Sequence, residues 1–308
     1  MKEFLVSLIE QGMRLDRFLA QKMNLSRQKC HNAIMAKNIL VNSQIPKKSY
    51  LLKKNDLIIV KTIYENHFHY LTPLPLNLEI VYEDDYLAVI NKPYDLVVHP
   101  SPNYRGVTLV NGLLSQIIGF NKLPQNDRMG IIHRLDKDTT GLIIVGKTEE
   151  SISKTQKLLQ ARKIKRFYYA LIYGFLSVQG TIKLPIKRDL GNRLKMAVSS
   201  QGKQAITHFK TLEKFDNFSL LEVELETGRT HQIRVHFDYL NHPVVGDQLY
   251  GKKTIKCKDN YHMLRNIRRQ LLHAKKLNFY HPITNQYLQL EIPLPDYFQK
   301  ALDHLKVK

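Results

Sequence analysis

Two prolines divide this chain. In Leu71-Thr72-Pro73-Leu74-Pro75-Leu76, each ring fixes φ, removes a backbone donor and pushes the preceding residue out of the helical region. The segment is therefore extended, and residues 62–76 read as a linker between a domain in 1–61 and a second in 77–308. A chain of 308 residues has room for two domains.

Before the linker, Leu15, Phe18, Leu19 and Met23 recur at helical spacing and form one apolar face. Ser26 is placed to cap a second helix, whose inner face would be Cys30, Ala33 and Ile34. After Lys37-Asn38 the pattern turns to short β-prone runs, Ile39-Leu40-Val41 and Leu57-Ile58-Ile59-Val60. Two small helices and a hairpin are expected. Residues 1–61 carry 12 Lys or Arg against 4 Asp or Glu. The helices put Arg14, Arg17, Arg27, Lys29 and Lys37 on or near the exposed side, where they read as RNA contacts.

The whole chain has a formal charge of +20, so its surface attracts phosphate or anionic lipid, and nucleic acid is the leading partner. No window approaches the roughly 18 apolar residues that span a bilayer. The opening Phe4–Ile9 run is too short for a secretory signal. Only Cys30 and Cys257 are present, which excludes a disulfide framework and a Cys-based zinc site and fits reduced thiols in the cytoplasm. A surface that repels its own copies favours a monomer.

Beyond the linker, Val81-Tyr82, Leu87–Ile90 and Gly141–Val145 read as strands, and Leu221, Val223 and Leu225 alternate with glutamates. No regular βαβ rhythm is present, so the class is α+β with a mixed, largely antiparallel sheet and flanking helices. Neither a P-loop nor a G-x-G-x-x-G pattern occurs, and a nucleotide cofactor has no visible seat.

Three constellations carry chemistry. In the first, apolar runs flank the loop His133-Arg134-Leu135-Asp136-Lys137-Asp138-Thr139-Thr140. Asp136 and Asp138 alternate, so an extended loop would point both the same way, as a metal nuclease needs; they also serve as turn formers. The second, Lys165-Arg166-Phe167-Tyr168-Tyr169-Ala170, interleaves cations with aromatics and suits an extruded base with its phosphates. In the third, Glu226 to Phe237, Thr230 is placed to cap a helix with Ile233, Phe237 and Leu240 on one face. Arg229 would then stand at that helix's positive end and need an anion, either Asp136 or an RNA phosphate. Residues 252–276 hold nine Lys or Arg and one acid, and Lys252, Lys253 and Lys256 read as a basic RNA-contacting loop.

In this order the constellations resemble the RluA-type pseudouridine synthases. The matching residues are His133-Arg134-Leu135-Asp136 with Thr139-Thr140-Gly141-Leu142, Tyr168 before Ala170 and Gly174, and Gly228-Arg229-Thr230-His231-Gln232-Ile233-Arg234. Asn91-Lys92-Pro93, Val97-Val98-His99-Pro100, Gly246-Asp247 and Leu271-Leu272-His273-Ala274 match the same family. Arg14-Leu15-Asp16, Ser26-Arg27 and Val41-Asn42 resemble an S4 RNA-binding domain. Among the family's branches the chain is most similar to the D-type enzymes of the large ribosomal particle, whose substrate is the helix 69 loop of 23S rRNA. Tyr94-Asp95 stands where many members have a small residue and Gly, and Thr140 where Ser is common.

The resemblance implies isomerisation of uridine in 23S rRNA or an assembling large ribosomal subunit, with no redox cofactor, ATP or metal. Asp136 would be the catalytic nucleophile or base, Arg229 its ion-pair partner, and Tyr168 the group that stacks on the flipped base. Arg134 would bind phosphate or fill the space the base leaves, and His133 would anchor the loop.

Overall fold

The computed structural model describes residues 2–25, 27–47, 49–61, 71–101, 104, 106–124, 129–251 and 267–306. The chain forms two units, Met1–His69 and Tyr70–Lys308. Among the described residues no helix is long and apolar enough to cross a membrane.

In the first unit, β1 (Lys2–Leu5), β3 (Leu57–Val60) and β2 (Ile39–Val41) form an antiparallel sheet in that order. Two helices, α1 (Leu15–Met23) and α2 (Arg27–Met35), supply its core partners. Leu15, Phe18 and Leu19 are buried with Cys30, Ala33 and Ile34, as the helical spacing requires. Asn24 ends α1 in the left-handed region and donates its N–H to Ala20 O, a common helix stop. Ser26 lies outside the described residues. Strand β1 was not expected from the sequence, because its side chains show no alternation of buried and exposed positions.

The second unit is built on a nine-stranded sheet. Its strands are β4 (Glu79–Glu83), β5 (Leu87–Lys92), β6 (Thr140–Gly146), β7 (Lys165–Tyr173), β8 (Gln179–Lys183), β11 (Ile206–Phe215), β12 (Phe218–Leu225), β13 (Leu272–Tyr280) and β14 (Tyr287–Glu291). The spatial order is β4-β5-β6-β13-β7-β12-β11-β8, with β14 paired to β13. Among the described strands of this sheet β6 and β13 pair in parallel and the other pairs are antiparallel, so the sheet is mixed and largely antiparallel. A separate two-stranded ribbon joins β9 (Ile186–Arg188) to β10 (Met196–Val198).

Period two along β7 feeds both faces of the sheet. Tyr168, Ala170 and Ile172 join Leu113 of α3 (Leu109–Gln116) and Phe237 of α5 (Gln232–Tyr239). Leu171 instead packs with Phe298 and Leu302 of α6 (Asp296–Lys306). Leu158 and Leu159 of α4 (Glu149–Gln160) pack with Leu142 and Ile144 of β6. The proline segment is extended, and Leu71 and Leu76 pack against the core of this unit.

Gly141 allows the parallel pairing. Its φ is +111°, and a Cβ there would run into the backbone of Ala274 on β13. The strand that carries the chain away from residues 131–140 can therefore lie flush in the sheet only with glycine at this point.

Candidate active site

The loop before β6 is pinned along its length. His133 Nε2 accepts the Ile144 N–H at 3.0 Å, so this nitrogen is unprotonated. Burial holds the imidazole at a pKa of about 3, and it stays neutral. Lys92 Nζ, fully buried, donates to the carbonyls of Pro93, Leu96 and Lys137 at 2.7, 2.9 and 2.9 Å. Burial pulls that amine's pKa down to about 7 against Asp138, Asp136 and Asp95. Gln270 Nε2 donates to Thr139 Oγ1 at 2.6 Å.

This loop forms one wall of a cavity of about 470 Å³, large enough for a nucleoside. The other walls are Arg166 and Tyr168 of β7, the segment Leu225 to His231, and the start of α5. Asp136 faces the cavity and is held by Arg234, whose Nη1 donates to Asp136 Oδ2 at 2.8 Å. Arg234 turns its other edge to Asp247, with Nε to Oδ2 at 2.6 Å and Nη2 to Oδ1 at 2.9 Å. The Asp247 side chain is completely buried and also accepts the N–H groups of Leu249 and Tyr250. The Arg234 guanidinium lies 5.0 Å from the Tyr250 ring centroid.

Burial works to raise the pKa of Asp136, but His231, Arg234 and Arg134 outweigh it and hold the carboxyl below the usual range. Burial lowers the pKa of His231, so at neutral pH Arg234 and Arg134 carry the positive charge. Tyr168 is 4% exposed, and burial pushes its phenol pKa up, which keeps it protonated. The arrangement is an ionised carboxylate beside a neutral phenol at the wall of one cavity, suited to a nucleophile or base. Among the described residues no group of three or more His, Cys, Asp or Glu forms a metal site.

Several expectations need correction. The ion-pair partner of Asp136 is Arg234, not Arg229. Arg229 lines the cavity but sends its Nε–H to the Gln204 carbonyl at 3.0 Å. The reason is the helix start: α5 begins at Gln232, and its preceding residue is His231, in the left-handed region at φ 56°, rather than Thr230. Gln232 Oε1 accepts the Arg229 N–H and the Thr227 hydroxyl, which ties the turn before the helix to its first residue. Asp138 does not share the cavity with Asp136. The loop turns between them, with the Thr139 N–H bonded to Asp136 O, and burial raises the Asp138 pKa.

The expected RNA contacts are dispersed. Arg134 is exposed at the cavity. Arg14 and Arg27 both pair with the buried Asp16, while Arg17 is exposed. Lys165 pairs with Glu224, and Arg166, on the opposite side of the strand, is buried. The Lys29 side chain and Lys252, Lys253 and Lys256 lie outside the described residues, as does Cys257.

Sequence reasoning assigned no role to Arg234, Asp247, His231 or Tyr250. His231 Nδ1 and the Tyr250 hydroxyl are 2.9 Å apart, and His231 Nε2 is 4.0 Å from Asp136 Oδ1. An arginine beside the apolar stripe of Ile233 and Phe237 was the available signal, because such a position borders the buried face.

Residues 86–239 match the family described as RNA pseudouridylate synthase, and residues 13–58 match the S4 domain. The chain belongs to the RNA pseudouridine synthase family. It is 42% identical over 305 residues to a ribosomal large subunit pseudouridine synthase D from Haemophilus influenzae, covering 96% of this chain and 92% of that protein. It is 38% identical over 300 residues to the RNA pseudouridine synthase YlyB of Bacillus subtilis, whose function is uncharacterised, covering 96% and 95%. Among solved structures, human RNA pseudouridylate synthase domain containing 4 matches with a TM-score of 0.59 and 26% identity, over 74% of this chain and 93% of that one. The enzyme is thus an RNA pseudouridine synthase with an S4 domain, and the reaction is an isomerisation.

Proposed function

We propose that the chain converts uridine to pseudouridine in 23S rRNA, at the loop of helix 69, on free rRNA or an assembling large subunit. The observation that carries this reading is the ionised Asp136, held by Arg234 in a cavity the size of a nucleoside. The name of the Haemophilus influenzae relative supports the ribosomal substrate.

The reaction breaks the bond from uracil N1 to ribose C1′, turns the base, and rejoins it through C5, which gives up its proton while N1 takes one up. Asp136 acts as the nucleophile or base, and the neutral Tyr168 stacks on the flipped uracil. The base leaves its stack at a cost of a few kcal/mol, offset by contacts to the RNA backbone. Arg134, Arg229 and Arg166 supply these at the cavity. Arg14, Arg17, Arg27 and Lys29 supply them in the S4 domain, and Lys165, Lys252 and Lys253 elsewhere. A basic monomer in the cytoplasm, beside its rRNA, fits this role.

The test is to map pseudouridine in 23S rRNA and in tRNA transcripts after incubation of each with the enzyme. Modification confined to the helix 69 loop is expected. Modification only at other rRNA positions, or only in tRNA, would contradict the site assignment.

A further inference from the structure

Among the described residues, Arg166 is a buried cation with no carboxylate paired to it. Its residue is 5% exposed, yet its described hydrogen bonding amounts to Nη2 donating to Leu225 O at 3.2 Å. Among the described residues its Nε has no hydrogen-bond partner. Among the described residues no carboxylate pairs with it; Tyr168 is the ionisable group that opposes the effect of burial on its charge. Arg234, similarly buried, has two carboxylates. A guanidinium taken out of water with no anion beside it is destabilising, and an arginine kept only for structure would be paired as Arg234 is.

The placement says what the partner is. Arg166 and Tyr168 are two apart on β7, so they share a face, and both line the cavity with Asp136. Gly228 sits against the guanidinium: a Cβ there would lie 2.9 Å from Arg166 Nη1. The planar fork is thus held between a glycine backbone and the cavity, with an N–H left over. Uracil and ribose are neutral, so the anion an RNA brings into this cavity is a phosphate, which a guanidinium fork recognises by charge-assisted hydrogen bonds.

We propose that Arg166 pairs with a backbone phosphate flanking the target uridine, and that its charge is compensated only when RNA is bound. This deepens the functional reading above and rests on it. The free enzyme then carries an uncompensated buried charge for the sake of binding, as functional sites commonly do.

The experiment uses the full chain and stem-loop RNAs carrying the mapped target uridine. A neutral methylphosphonate replaces the phosphate on its 5′ or its 3′ side, and kcat/KM is read by proton release from C5. With wild type, one of the two neutral linkages is expected to lower kcat/KM about tenfold or more. Arg166→Met should show a similar loss on ordinary RNA and no further loss on the neutral linkage. Its thermal unfolding temperature should equal or exceed that of wild type.

Arg166→Lys, which keeps the charge without the fork, should keep part of the linkage sensitivity, and it serves if the methionine variant does not fold. Wild type indifferent to both neutral linkages would overturn the proposal. So would an Arg166→Met enzyme that stays fully sensitive to them, or one that loses stability while its linkage sensitivity is unchanged. Absence of isomerisation by wild type on ordinary RNA would overturn the functional reading itself, and this inference with it.

Discussion

Asp136 and Arg234, 98 residues apart in the chain, meet in a 2.8 Å hydrogen bond at the floor of the cavity. The contact joins the loop before β6 to the first turn of α5, and Asp247 fixes the arginine from behind. Orientation and charge of the carboxylate therefore depend on the same guanidinium.

Removing that guanidinium should cost both stability and activity. Arg234→Met leaves Asp136 and Asp247 without the cation that pairs them, at about 3–5 kcal/mol of folding free energy. Arg234→Lys keeps a charge but cannot bridge both carboxylates, so kcat/KM should fall at least about a hundredfold while most stability is kept. Chemical denaturation and C5 proton release measure the two effects. A fully active Arg234→Lys enzyme would contradict the pairing.

The buried histidines should make stability pH-dependent. His133 has a folded pKa of about 3 and His273 of about 4, both lowered by burial, against about 6.5 when unfolded. Between these values the unfolded chain takes up protons that the folded one refuses. Stability is thus full above pH 6.5 and falls as pH drops toward the folded values, by about 1.4 kcal/mol per pH unit for each histidine. His133→Gln keeps an acceptor for the Ile144 N–H and should remove one histidine's share of the slope between pH 6 and pH 5. An unchanged slope in denaturant titrations would refute the assignment.

Gly141 should tolerate no side chain. Its positive φ and the backbone of Ala274 both oppose a Cβ, so Gly141→Ala should destabilise by about 3 kcal/mol or more. Thermal unfolding measures this, and a shift smaller than that of an ordinary surface substitution would contradict the close approach.

Arg17, exposed on α1, should act on RNA through charge alone. Arg17→Gln is expected to reduce the slope of log K against log salt by about one for binding to 23S transcripts, without loss of stability. An unchanged slope would remove this residue from the RNA footprint.

Much of this was legible before the structure. Helical spacing located the core of α1 and α2, and alternation of Leu221, Val223 and Leu225 with glutamates located β12, because burial on one face imposes both patterns. The site was legible in its loop but not in its pairing. Which arginine reaches Asp136 depends on where α5 begins, and that is decided by the Gln232 side chain bonding Arg229 and Thr227 rather than by the local preference of Thr230. Likewise, the spacing of Asp136 and Asp138 suggested a shared direction, but the turn between them and the buried Lys92 beneath the loop send them apart. Such contacts join residues distant in sequence and leave no periodic trace.

The most direct measurement is tritium release from 23S transcripts labelled at uracil C5, with wild type and Asp136→Asn side by side. Release by wild type, and none by a folded Asp136→Asn protein that still binds the RNA, is the predicted result. Release by Asp136→Asn at the wild-type rate would contradict the role given to Asp136.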